Sequence, residues 1–219
     1  MLTIEVDQRH RVSGHLRRPS HAVACLVLAH GAGAGMDHPF MVGVAGGLFA
    51  RQIASLRFQF PFIEQGSKRP DRPALAQATV RAAVATAAQL APDLPLFAGG
   101  KSFGGRMTSQ AQAEAPLAGV RGLVFLGFPL HPPKTPSTQR AEHLRSVAVP
   151  MLFLQGTRDA LADLALLRPV TEGIGATATL AIFEGADHSF HVPVRSGRTD
   201  AQILDALCDT IESWVARMQ

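Results

Sequence analysis

Two hydrophobic rhythms run along this chain. At its start Leu2-Thr3-Ile4-Glu5-Val6 and Val12-Ser13-Gly14-His15-Leu16 alternate apolar and polar residues across a charged turn, which predicts a short, half-exposed antiparallel pair. From Ala22 the pattern changes. Residues 22–29 form a continuous apolar run of strand length, the mark of a strand buried on both faces, and residues 122–128, 150–156 and 178–183 repeat the theme; residues 94–98 are a shorter apolar run, and residues 53–60 are strand-like and end at Pro61. Helix-compatible stretches separate these runs. Asp37-His38-Pro39 reads as a helix start before residues 40–50, and Asp71 as a cap before the Ala-rich residues 74–90. Residues 107–115 are also helix-compatible, and near the end Ile203, Leu207, Ile211, Trp214 and Met218 fall three or four apart, one apolar stripe against a core. Alternating strands and helices predict an α/β fold: a mainly parallel sheet of about seven or eight strands with helices on both faces. In such sheets ligands bind at the C-terminal strand ends.

Composition narrows the class. With 219 residues, 47% of them apolar, the chain can bury a substantial core, and one domain over residues 1–219 is the expectation. No stretch approaches the length of a membrane span, and residues 1–11 are mixed and charged rather than signal-like, so a soluble cytoplasmic protein without a membrane partner is expected. Cys25 and Cys208 fall in apolar patterns and read as small core residues, not as a disulfide framework. The net charge of +4 comes from scattered arginines, only 6% of residues are aromatic, and Tyr is absent. A nucleic-acid binder would gather its charge on one face and interleave aromatics, so no nucleic-acid partner is expected. No His/Cys/Asp cluster has metal-ligand spacing.

The chemistry is concentrated at Gly99-Gly100-Lys101-Ser102-Phe103-Gly104-Gly105-Arg106, between a predicted strand and a predicted helix. The tight turn carries G-x-S-x-G as Gly100, Ser102 and Gly104, with glycine where a cramped serine turn leaves no room for side chains. Gly100-Lys101-Ser102 also mimics the end of a phosphate-binding loop, but the required upstream glycine is Pro95, which has no N–H to offer a phosphate. Likewise Gly31-Ala32-Gly33 fails the dinucleotide-binding fingerprint, whose next glycine falls on Met36, or on His38 in the other frame.

A serine hydroxyl needs a base, and the base an orienting acid. Asp159 follows the predicted strand 150–156, and His188 follows the strand 178–183, giving the chain order Ser, Asp, His. His191 is the alternative base. Asp163 fits better as a helix cap and Asp187 as a brace for the histidine loop. The backbone N–H groups of Phe103 and Ala32 are the candidate oxyanion hole, the former aided by the start of the following helix. His30 reads as structural, holding the Gly-rich loop 31–35. Lys101 reads as a solvated side chain, with attraction of an anionic substrate as the alternative.

Together, residues 30–40, 100–106, 155–159 and 187–190 resemble the α/β-hydrolase superfamily, and within it a group of bacterial hydrolase-like proteins related to a subunit of the nuclear NSL acetyltransferase complex. The resemblance spans roughly residue 20 to the C-terminus and implies an α/β-hydrolase fold with a Ser102–His188–Asp159 triad and no cofactor. Larger members carry a helical lid after the strand equivalent to residues 123–128. Here the segment 129–150, with Pro132, Pro133 and Pro136, has room for one short helix, so no lid domain is expected. An open site suits a small ester or thioester, or an acyl group presented by a larger partner. Met36, Phe40, Phe103, Leu130 and Phe190 are candidate pocket walls. The expected partner is a small-molecule acyl substrate. The rival reading is a hydrolase-fold interaction module with little turnover, and the sequence carries no signal for an oligomeric state.

Overall fold

The computed structural model of the chain describes residues 1–218. In chain order the strands are β1 (Leu2–Glu5), β2 (Arg11–Arg17), β3 (Ala24–Ala29), β4 (Ile53–Phe58), β5 (Leu96–Lys101), β6 (Val120–Leu126), β7 (Met151–Gly156) and β8 (Ala178–Phe183). The α-helices are α1 (Pro39–Ala50), α2 (Pro61–Glu64), α3 (Pro73–Leu90), α4 (Phe103–Glu114), α5 (Leu164–Ile174) and α6 (Asp200–Ala216). The strands form one eight-stranded sheet in the order β1-β2-β4-β3-β5-β6-β7-β8. β1 and β2 are the antiparallel pair of the alternating N-terminus, and β3 through β8 are parallel to one another. This is an α/β-hydrolase fold.

Continuous apolar runs become central strands because both faces are covered. In β3, Ala24, Leu26 and Leu28 pack toward α1 and α6, while Cys25, Val27 and Ala29 pack toward the side of α3 and α4. Each helix offers the matching stripe: Ile203, Leu207, Ile211 and Trp214 of α6 are buried, as are Ala76, Val80, Ala83 and Ala87 of α3. Both cysteines are free and buried. Arg51, at the end of α1, ties the two helices of one face together through Asp205 and Asp209 of α6, at 2.5 and 2.6 Å. No helix among the described residues is long and apolar enough to cross a membrane.

The structure departs from the pattern in two places. The strand expected over residues 53–60 ends at Phe58, because Pro61 opens the short helix α2 and Phe60 stands at its N-cap. Asp71 is not a cap: Arg72 holds that position in α3, and the Asp71 carboxylate instead accepts from the Phe62 N–H of α2 at 3.1 Å. Between β6 and β7 the chain forms a 3₁₀ helix, Gln139–Ser146, and no lid domain.

The register sets the stage for a site. Ala29 of β3 lies level with Phe58 of β4 and with Gly100 of β5, so the loops leaving these strands start from one rim. The loops after β7 and β8 leave from the same end, Gly156 opposite Phe183.

Candidate active site

The turn between β5 and α4 is sharp enough to force Ser102 to φ 50° and ψ −115°, a conformation an L-residue enters only under constraint. Its flanks show why glycine is needed. A Cβ on Gly104 would sit 2.5 Å from the His30 carbonyl oxygen, and one on Gly100 would collide with the carbonyl of Ala29. The serine is thus pressed outward on top of β5, at the N-terminus of α4.

Two loops bring side chains to it. His188 Nε2 lies 2.8 Å from Ser102 Oγ, and His188 Nδ1 lies 2.7 Å from Asp159 Oδ2. The Asp159 side chain is fully buried, whereas that of His188 keeps partial access to solvent. The carboxylate is held from three sides: besides the imidazole, Gln155 Nε2 donates to Oδ2 at 2.5 Å and the Leu161 N–H donates to Oδ1 at 2.8 Å. That set of donors fixes the imidazole with its proton on Nδ1 and its free lone pair toward the serine hydroxyl. The histidine loop is braced internally, since Asp187 accepts from the N–H groups of Ser189 and His191 at 2.8 and 3.0 Å.

The neighbouring candidates sort themselves by geometry. His191 turns away to Asp200, 2.7 Å from Nδ1, and that carboxylate raises its pKa. Asp163 caps α5 by accepting from the Ala165 N–H at 2.8 Å. His30 is buried and structural: Nδ1 donates to the Gly31 carbonyl at 2.7 Å, and Nε2 accepts from the Phe60 N–H at 3.0 Å. Burial pushes its pKa down to about 4, so the ring stays neutral, as this bonding requires. Its ring links the Gly-rich loop after β3 to the start of α2.

A cleft of about 410 Å³ opens over Ser102. Gly31, Ala32, Gly33 and Ala34 form one wall, His38, Phe40 and Met41 another, Leu161, His188 and Ser189 close it, and Lys101 borders it beside Ser102. Phe103 is the first residue of α4, so its N–H has no carbonyl a turn behind it to bond. Ala32 borders the cleft beside the serine.

Of the expected pocket walls, only Phe40 lines this cleft. Met36 and Leu130 are fully buried, and Phe190 is 3% exposed in the core beneath α6. Met36 is drawn inward because its main chain is gripped from both sides: its N–H donates to Gln59 Oε1 at 2.9 Å and its carbonyl accepts from Arg57 at 2.6 Å. Phe103 packs edge-on against Phe60 and Phe62 on the far side of the turn. Two residues that do line the cleft, Met41 and Leu161, lie one position past Phe40 and two past Asp159, and carry no signal of their own.

Lys101 also differs from expectation. Its side chain is half-buried at the edge of the cleft, and its Nζ is not left to solvent alone but donates to the His188 carbonyl at 2.5 Å. Side-chain alternation along β5 puts Lys101 on the face of Phe97, which is the face of α6 and of the loop leading to it. Among the described residues, no group of three or more His, Cys, Asp or Glu side chains is placed to hold a metal ion.

An eight-stranded, mostly parallel sheet with a strained serine at the β5 turn defines a class before any comparison is made. Residues 22–216 match the family model described as "Alpha/beta hydrolase domain", and the chain belongs to that family. Among solved structures, it is similar to dienelactone hydrolase from Anabaena variabilis (TM-score 0.80, 21% identity, 99% of this chain and 95% of that one). It is similar as well to XC6422 from Xanthomonas campestris, described as an α/β serine hydrolase without a lid (TM-score 0.75, 20% identity, 97% and 93% covered). Est1E from Butyrivibrio proteoclasticus, solved with ferulic acid bound, shares the fold at 14% identity (TM-score 0.75, 99% and 100% covered).

Proposed function

We propose that this protein is a serine hydrolase that cleaves a small ester or thioester through an acyl-enzyme on Ser102. The observation that carries the reading is the continuous chain Ser102 Oγ, His188 Nε2, His188 Nδ1, Asp159 Oδ2, with both links at hydrogen-bond distance. As the Ser102 oxygen bonds to the substrate carbonyl carbon, its proton passes to His188 Nε2, and the carbonyl electron pair moves onto oxygen. Asp159, ionised and held by three donors, stabilises the imidazolium without taking its proton. The amides of Phe103 and Ala32 meet the developing oxyanion; each such donor is typically worth about 3 kcal/mol. Collapse of the tetrahedral species expels the alcohol or thiol, which takes the proton from His188. Water then repeats the sequence and frees the acid.

The lidless architecture and a cleft of about 410 Å³ favour a short acyl group. The similar structures include a dienelactone hydrolase, which is consistent with ester cleavage. A cytoplasmic setting belongs to the same reading, since both cysteines are free thiols, as a reducing compartment keeps them. Kinship with the hydrolase-like group related to the NSL complex subunit is part of the proposal too and rests on the four sequence motifs alone.

The test is labelling with a fluorophosphonate probe beside turnover of p-nitrophenyl acetate and butyrate, with Ser102→Ala as control. Labelling and turnover that both vanish in Ser102→Ala support the hydrolase. A folded wild-type protein that neither labels nor turns over any short ester or thioester refutes it and favours the interaction module.

A further inference from the structure

The chemistry above leaves one half-buried charge without a task. Lys101 adjoins the nucleophile in sequence, and its ammonium reaches the main-chain carbonyl of the base, 2.5 Å from His188 O. It lies 5.5 Å from the centroid of the Phe190 ring, which belongs to the same loop. Gly127, just beyond β6, marks how closely the groups converge. A Cβ built there would lie 3.0 Å from Lys101 Nζ, 3.4 Å from Asp159 Oδ2 and 3.5 Å from His188 Nδ1. The stem of the lysine runs past the Gly-rich loop, with Cγ 3.6 Å from a Cβ built on Gly31.

Packing alone does not account for this residue. Taking an ammonium out of water is costly, and an apolar chain of the same length would fill the space without that cost. Burial dominates its environment and is only partly offset by the Asp159 and Asp187 carboxylates, so its pKa falls to about 8. Lys101 borders the cleft, but its ammonium is engaged by the loop backbone and lies over the Phe190 ring. What it can do is mechanical. Asp187 fixes the internal shape of the histidine loop, and the bonds of His191 and Val192 to Asp200 anchor the loop to α6. Neither sets the distance between loop and nucleophile. Among the described residues, two hydrogen bonds join residues 187–191 to the strand and turn that carry the nucleophile: the His188 ring to Ser102, and Lys101 to the His188 carbonyl.

We infer that Lys101 is a positioning residue whose ammonium ties the loop bearing His188 to the strand bearing Ser102, so that base and nucleophile keep one reference point through the catalytic cycle. The inference rests on the serine-hydrolase reading. During acylation the ring first accepts and then donates a proton, and its bond to Ser102 is broken in between. The lysine bond is made to the backbone and persists throughout, so the ring stays within reach when its own bond is absent.

The experiment compares the full-length wild type with Lys101→Met and with Lys101→Cys alkylated in two ways. Bromoethylamine restores an ammonium with N–H donors at nearly the original distance; (2-bromoethyl)trimethylammonium restores the charge without a donor. With p-nitrophenyl acetate, Lys101→Met is expected to lower kcat by roughly tenfold to a hundredfold, the size of a charged hydrogen bond, with KM changed by no more than about twofold. The aminoethylated protein recovers most of kcat, and the trimethylammonium protein does not. Hydrogen exchange of the amides of residues 187–191 speeds up in Lys101→Met. Unchanged kcat in Lys101→Met, or equal recovery by both alkylated forms, overturns the tether. If Lys101→Met fails to fold, the comparison of the two alkylated forms decides. Should the wild type show no Ser102-dependent labelling, the hydrolase reading fails by itself, and exchange in the 187–191 loop still reports whether the tether exists.

Discussion

Acid stability offers a sharp test of how the Gly-rich loop is held. His30 is fully buried and uses both ring nitrogens, one as donor to Gly31 and one as acceptor from Phe60. Protonation would place a charge in an apolar setting and turn an Nε2–H against the Phe60 N–H that it now accepts from. The pKa of His30 is accordingly depressed from 6.5 to about 4. A base whose folded-state pKa lies below its unfolded value gives stability that is complete above the unfolded pKa. That stability is lost as pH falls from 6.5 toward 4, because the unfolded chain then binds the proton and the folded one does not. At about 1.4 kcal/mol per pH unit, the neutral ring accounts for roughly 2 kcal/mol between pH 7.5 and pH 5. His143 adds to the same slope. Burial and the nearby Arg106 hold its pKa down to about 4, and its Nε2 lies 2.7 Å from Ser109 Oγ; being less buried than His30, it should give a smaller effect. The assay is urea denaturation at pH 7.5 and pH 5 for the wild type and His30→Gln. Glutamine keeps a donor and an acceptor near the loop but cannot titrate. His30→Gln should be less stable at pH 7.5, yet it should lose about 2 kcal/mol less than the wild type on acidification. If both proteins lose the same amount, His30 is not neutral in the folded state, and the account of the loop is wrong.

Three further outcomes follow from named contacts. Asp159→Asn keeps the shape of the acid but offers the imidazole the wrong partner, and kcat on p-nitrophenyl acetate should fall by about three to four orders of magnitude, with the fold intact by circular dichroism. Gly122→Ala would push a Cβ to within 2.5 Å of Trp214 Cη2, so its urea midpoint should drop by the equivalent of about 1–3 kcal/mol while the active-site geometry is untouched. Phe40→Ala removes a cleft wall that also stacks on Phe190 at 5.7 Å; kcat/KM should shift toward longer p-nitrophenyl esters by about tenfold for hexanoate relative to acetate, and an unchanged chain-length profile would remove Phe40 from the acyl pocket.

The parts of this molecule that could be read from sequence are those where one residue's chemistry dictates its place. Central strands such as β3 stand out because burial on two faces demands uninterrupted apolar residues, whereas β1 and β2 show by alternation and β8, at the sheet edge, is mostly half-buried. Ser102 is legible because its strained turn needs Gly100 and Gly104, whose missing Cβ atoms leave room for the carbonyls of Ala29 and His30. Asp159 and His188 are marked by falling just past strands, at the rim where such sheets bind ligands. The pocket walls were not legible in this way. Met36, Leu130 and Phe190 are apolar and near the motifs, but so is any core residue, and only the Gln59 and Arg57 hydrogen bonds around Met36 reveal that it turns inward.

Lys101 shows where that kind of reading stops. A lysine beside Ser102 is charged, long and at a strand end, and each of those facts argues for solvent. What reverses the outcome is the pairing of two features more than eighty positions apart in sequence: the parity of Lys101 on β5, which aims it at the α6 face, and a histidine loop that crosses that face with its carbonyl turned down. Neither feature is visible without the other, and no local pattern encodes their meeting. The same pairing explains why the site holds a half-buried ammonium. A loop anchored to α6 and braced from within is still free to vary its distance from Ser102. One donor from the nucleophile's own strand removes that freedom, while the ring nitrogens of His188 are left for the acid on one side and the serine on the other.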